Sequence, residues 1–545
     1  TIGGGSNNTI QSDALVSTIG GGWTNTVSNT DSATIGGGTV NTIINESDAS
    51  TIGGGSDNLV IDSSTVGTIG GGRLNTLNNT DSSTIGGGTN NKVWNNSDAS
   101  TIGGGSNNTI QSDALVSTIG GGWTNTVSNT DSATIGGGAV NTIINESDAS
   151  TIAGGADNLV IDSSTVGTIG GGRKNTLNNT DSSTIGGGTN NSVLANSDAS
   201  TIGGGSDNTV QTNSLVSTIG GGWTNVVTNT DSATIGGGAM NTVLDESDAS
   251  TISGGMNNTI TTTAVASAIG GGRGNTVTTT TLYGTISGGE QNTINNTDSS
   301  TIGGGSKNTI IDESDASTIG GGMDNTITTS GVASTIGGGR SNTITTTSLY
   351  GTIGGGEQNT INNTDSSTIG GGSKNTIIDN ADGSTIGGGL NNIINTNASA
   401  STIGGGHTNS IASAGFSSTI SGGNSNSVGA NGTYATIGGG QSNIVTTGTH
   451  NSIGGGQTNT ITAGTHNNIS GGNGNTVTAG DQNHIGAGNG NTVTAGTNSS
   501  IVGGSGNIQT TGSQNLIGGG STNTIAAGTN STMVGVVGET YTIGS

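Results

Sequence analysis

The chain has 545 residues and a formal net charge of −25, with 8 Lys and Arg against 33 Asp and Glu. Glycine counts 111, proline and cysteine 0, aromatic residues 2% and apolar residues 27%. Together these exclude a globular core of large side chains, thiolate metal sites and an acidic surface that binds phosphate backbones; with no run of about eighteen apolar residues, they also exclude a membrane-spanning helix.

The chain does not read as disordered, because its spacing is fixed. It opens "TIGGGSNNTI" (Thr1–Ile10), then gives "TIGGGWTNTV" and "TIGGGTVNTI". The isoleucine before the glycines falls at Ile2, Ile19, Ile35, Ile52 and onward to Ile517, 32 positions spaced 16 or 17 apart. Met533 continues the register with different chemistry. A strict period this short predicts an all-β parallel β-solenoid, a β-roll of about 32 coils of 16–17 residues with no helices.

Longer periods divide the chain into segments. Residues 1–250 form an acidic solenoid in 50- and 100-residue blocks; 1–50 and 101–150 differ only at Thr39 versus Ala139. Residues 251–400 run in blocks of 67, with Ile286 mapping onto Ile353. Residues 401–532 are near-neutral and mostly in 16-residue coils, and 533–545 read as a terminal cap or assembly segment. The first coil starts in mid-register, and "YTIGS" at the other end nearly restarts the motif, so end-to-end stacking is expected.

Within one coil, side chains alternate between faces. With Ile19 inside, Val27 and Asn25 also point in, while Thr18 and Thr26 point out. The second aliphatic recurs in 31 of 32 coils, the exception being Gln509 with Ile508 one position early. Asparagine recurs in all 32, from Asn8, Asn25 and Asn41 through Asn225 to Asn523. Two structural readings account for it: an inward amide ladder between coils, or a left-handed turn position. Among the glycines, the third (Gly5, Gly22 and onward) is invariant. The second yields once, to Ala487, and the first yields to Ala153, Ser253, Ser287, Ser421, Ser470 and Val502. That order predicts positive φ or close backbone approach at the third position. Phosphate and dinucleotide loops are rejected for want of a strand–helix unit. The calcium repeat resembled by "GGNGNTV" (Gly471–Val477) lacks its aspartate.

The 16-residue coils "NSIGGGQTNTITAGTH" (Asn451–His466) and "NTVTAGTNSSIVGG" (Asn491–Gly504) resemble the head repeats of trimeric autotransporter adhesins, through a shared half-repeat rhythm. Similar glycine-rich repeats occur in phage and viral fibres. The resemblance implies a left-handed parallel β-roll, three chains side by side, at a bacterial surface, bound to a host or matrix surface.

Candidate sites are sparse. Aspartate recurs four residues before the index isoleucine, and the neighbouring pairs Asp31 and Asp48, Asp81 and Asp98 are the calcium candidates; the competing reading is a solvated acidic edge. Trp23, Trp123 and Trp223 share one outward position 100 residues apart, with Arg73, Arg173 and Arg273 on the same row. They are candidate partner or carbohydrate contacts. His407, His450, His466 and His484 form no ligand cluster, and no nucleophile has a base and an orienter, so no enzyme is expected. "NES" at Asn45–Ser47 is a glycosylation sequon. The expected role is an extracellular or cell-surface structural fibre, an adhesin head or filament subunit that self-associates. The alternative is a ligand-binding surface, for ice through outward threonine ladders or for calcium.

Overall fold

Thr-Ile and Thr-Val pairs are β-branched and favour extended backbone, but the glycine triplet and a polar turn interrupt them every few residues. Short strands stacked coil on coil are the consequence. The computed structural model describes Thr1–Thr542; Ile543, Gly544 and Ser545 of the terminal "YTIGS" lie outside the described residues. The fold is an all-β parallel solenoid of about 31 coils, with no helix among the described residues. The chain forms two compact units, Thr1–Arg273 and Gly274–Ser545.

Both units have the same coil. One ladder joins Thr-Ile strands, as Thr18–Ile19 pairs with Thr34–Ile35. A second joins the following strands, as Thr26–Ser28 pairs with Thr42–Ile44. A third line of parallel bridges lies between them: Ser6 to Trp23, Trp23 to Thr39, Thr39 to Ser56. The two-strand reading of the coil missed this line because a single residue per coil takes part. Inside, Ile19, Val27 and Asn25 are fully buried. Small residues complete the interior, among them Ser17, Thr30 and Ala33.

The corners are a finding the glycine pattern did not announce. The coil from Ile19 turns on four left-handed residues: Gly22 (φ 97°), Thr24 (φ 56°), Asn29 (φ 49°) and Ser32 (φ 58°). The coil from Ile35 turns on five, because Asn45 (φ 58°) and Glu46 (φ 61°) stand in tandem where the shorter coil has one. That extra left-handed residue is the physical difference between these two coils; the 17-residue coils from Ile386, Ile403 and Ile420 turn on four. Even Val16 (φ 56°) and Val116 (φ 56°) occupy such corners, a conformation that costs a β-branched residue appreciable strain.

In the terminal coils the corners fall eight residues apart: Gly440 and Gly448, Ser442 and His450. Each coil there consists of two half-coils of like geometry. A further pairing appears with them, Gly432–Thr433 against Gly448–Thr449. Strands lengthen to Thr476–Asp481 and Thr492–Thr497. Met533 is buried and pairs with Ile517, so the terminal segment continues the register. At the one break in the apolar pattern the register also holds. Gln509 takes the buried place and Ile508 remains 39% exposed. The Gln509 Nε2 donates to Ser499 Oγ at 2.7 Å, while its Oε1 has no partner. Gln509→Leu removes an unpaired buried acceptor and restores an aliphatic. It is expected to stabilise the terminal coils by about 1–2 kcal/mol, read as slower amide exchange around residues 493–525.

Candidate functional site

A stacked repeat displays its chemistry as rows, one residue per coil. The asparagine row is the most regular. Asn25 Nδ2 donates to the Gly21 carbonyl of its own coil at 3.0 Å and to the Gly38 carbonyl of the next at 3.0 Å. Its Oδ1 accepts the Asn41 backbone N–H at 3.0 Å. Asn8, Asn41 and Asn225 repeat the pattern. The amide ladder expected from stacking is present only as a secondary contact, as between Asn25 Nδ2 and Asn8 Oδ1 at 3.0 Å. The backbone takes the main bonds because the glycine arc leaves the Gly21 carbonyl without a backbone donor, while the Gly38 carbonyl, which accepts the Trp23 N–H at 2.8 Å, has a second lone pair to offer.

Gly5 (φ 87°) and Gly22 (φ 97°) are left-handed. A Cβ on Gly22 would overlap the carbonyl of Gly38 in the next coil and crowd the Asn25 amide. Positive φ and close approach act together at this third position.

A second asparagine row escaped the sequence reading. Asn467 donates its backbone N–H to Asn451 Oδ1 at 3.0 Å, and Asn483 donates to Asn467 at 3.0 Å. Their Nδ2 groups donate to the Gly480 and Gly496 carbonyls. In the acidic coils serine holds this position: Ala33 N–H donates to Ser17 Oγ at 3.1 Å. The signal was in the sequence, as Asn451, Asn467 and Asn483 at a spacing of 16.

The structure brings Asp31 to Asp48 and Asp81 to Asp98, but as backbone acceptors. Asp48 Oδ1 accepts the Asp31 N–H and Asp98 Oδ1 the Asp81 N–H, each at 2.7 Å. Among the described residues no three His, Asp or Glu side chains gather as a metal-binding group. Trp23, Trp123 and Trp223 lie on the bridge row with their rings about half exposed. Six coils separate them, so they do not converge. Arg173 on that row approaches Asp157 at 3.7 Å. The outward threonines do line up, Thr18 on Thr34 and Thr26 on Thr42. His450 and His466 stack with ring centroids 4.8 Å apart, below Tyr434 at 4.7 Å.

Asp207 has its pKa lowered below 3.8 by hydrogen bonds from Ser206, then Asn190, then Trp223. No protein-family model and no curated protein matches the chain.

Asn225→Ala removes three bonds to backbone and is expected to cost about 1–3 kcal/mol, seen as faster exchange at Asn241 and its neighbours. Thr224→Ala, next to it and half-buried, should leave exchange unchanged. For Asp207 the depressed pKa means its contribution is present above the unfolded value and lost as pH falls through the folded one. NMR titration of Asp207 should give a midpoint below 3.8 that rises in Ser206→Ala.

Proposed function

We propose that the chain is a non-catalytic structural fibre component outside the cell, a filament subunit or surface adhesin head, built by coil stacking and by packing of chains side by side. One observation carries this reading. The three glycines of each coil are not equally constrained by the chain's own packing, and the mismatch falls on the middle one.

A Cβ on the first glycine, such as Gly20, would press on the Gly36 carbonyl of the next coil, yet Ala153, Ser253 and Val502 stand at that position. A Cβ on the middle glycine, such as Gly21, Gly104 or Gly121, would meet nothing within 4 Å. In six coils its φ of 148–159° also favours glycine; in the others no such φ applies. Yet the middle position is glycine in 31 of 32 coils. A residue kept small without an internal neighbour fits a surface that a second backbone approaches closely. A second copy of this chain has the matching flat row.

Converting Gly104, Gly121 and Gly137 to serine tests the reading by sedimentation over a range of concentrations. The intact chain should self-associate and the triple variant should shift toward monomer with an unchanged circular dichroism spectrum. Gly120→Ser, at the tolerant first position, should associate like the parent. An intact chain that stays monomeric at every concentration, or a triple variant that associates equally well, overturns it.

A further inference from the structure

Seven times between Asn29 and Asn363 the chain reads Asn-Thr-Asp-Ser, always within a 16-residue coil. Each time the following 17-residue coil adds a second aspartate, 17 residues after the first. Five of these pairs lie in the unit 1–273 and two in the unit 274–545.

The pair Asp81 and Asp98 shows the geometry. Oδ1 of Asp98 accepts the Asp81 N–H at 2.7 Å, and Oδ1 of Asp81 accepts the Thr65 N–H at 3.3 Å. The backbone thus fixes one oxygen of each carboxylate. The Oδ2 atoms accept no hydrogen bond from the protein, and the same holds at Asp31 with Asp48 and at Asp365 with Asp382.

Between the two aspartates lies Thr80, 1% exposed, with a hydroxyl that has no partner. Thr180, Thr297 and Thr364 repeat this orphaned hydroxyl at the same position. Coil length explains it. In the longer coils the corresponding Ser47 and Ser64 hydroxyls donate three residues back, to Ile44 at 2.8 Å and Ile61 at 2.7 Å. The shorter coil lacks the extra corner residue that brings that carbonyl into reach.

At the other three sites Thr30, Thr130 and Thr230 Oγ1 donate weakly to Oδ1 of Asp48, Asp148 and Asp248, at 3.4, 3.3 and 3.4 Å. The hydroxyl of this row thus faces the second aspartate of each pair. Thr80, Asp81 and Asp98 line a cleft, as do Thr30, Asp31 and Asp48 at its equivalent, and neither cleft is lined by a lysine or arginine. A buried polar atom without a partner is costly, and a cleft of uncompensated carboxylates invites a cation.

We propose that each Asn-Thr-Asp-Ser coil, with the aspartate of the next coil, binds one calcium ion. The ligands are the two free Asp Oδ2 atoms, the Thr Oγ1 and water. This is an all-oxygen set with adaptable geometry, which suits calcium; magnesium demands a tighter octahedron and gives up its water reluctantly. Asp13 and Glu46 also line the cleft at Asp31 and Asp48, but among the described residues no third carboxylate gathers with the pair as a metal-binding group, so the affinity belongs in the weak range of about 10⁻⁴–10⁻³ M. At roughly 4.8 Å per coil, the five sites of residues 1–273, three coils apart, form a row spaced about 15 Å, and the two of residues 274–545 lie four coils, about 19 Å, apart.

Equilibrium dialysis of the intact chain against calcium chloride in physiological sodium chloride tests this. Saturation near seven ions per chain is expected, with magnesium chloride binding about tenfold more weakly. Substituting Asp48, Asp98, Asp148, Asp198 and Asp248 by Asn keeps the Oδ1 acceptors and should lower the count to about two. Thr→Val at positions 30, 80, 130, 180 and 230 keeps shape and fold, and should weaken the five sites several-fold. Non-saturating uptake, equal affinity for magnesium, an undiminished count in the Asn variant or unchanged affinity in the Val variant overturns the proposal.

Discussion

The structure depends on one side-chain amide per coil. A glycine triplet turns sharply and lets coils approach, but it also leaves carbonyls outside any strand ladder. Asn25 answers for the Gly21 carbonyl and the Asn41 N–H, and adds a second bond to the Gly38 carbonyl, which already accepts the Trp23 N–H at 2.8 Å. The Gly21 carbonyl or the Asn41 N–H left bare in the interior would cost about 1–3 kcal/mol. The amide also links the glycine arc to the strand that follows, and one coil to the next. With only an isoleucine and a second aliphatic per coil, apolar burial is thin, so saturation of polar groups decides whether the coils stack.

Coil length is the second constraint, and it sets the surface. In the acidic coils a tandem of left-handed corners, such as Asn45 and Glu46, makes the 17-residue coil and a single Asn29 the 16-residue one; the 17-residue coils from Ile386, Ile403 and Ile420 carry a single corner there, at Asn397, Ala414 and Asn431. The shorter turn pulls Thr30 or Thr80 away from the carbonyl that Ser47 reaches, and sets the hydroxyl beside aspartates. In the near-neutral terminal coils the corner moves one position on, to Gly448 and Gly464, and the interior serine row gives way to the buried asparagines Asn451, Asn467 and Asn483. After Asp382 the acids are Asp481 and Glu539, so the same coil carries an acidic surface in one part and a near-neutral one in another.

These rows bear on function differently. The middle glycines are open to the outside and uniform along the chain, as suits contact with a second chain. The aspartate pairs are local, fixed by backbone hydrogen bonds on one oxygen and free on the other. Cation binding at such pairs would relieve charge on a chain of net −25 and cross-link neighbouring coils.

The sequence by itself determined the fold class, because a period of 16 or 17 with two aliphatics and an asparagine has one economical solution, the stacked coil. It also determined that Asn225 and its equivalents recur with the core positions, and that the third glycine differs from the first. Tertiary structure alone decided what the asparagine binds. Its partners, such as Gly238 and Asn241, lie 13 and 16 residues away and become neighbours only when coils stack. Left-handed corners at Thr24, Val16 and Glu46 were likewise illegible, since none of these residues favours that conformation locally. Gln509 held its buried place against its polarity for the same reason: the ladders on either side fix the register, and one side chain cannot shift it.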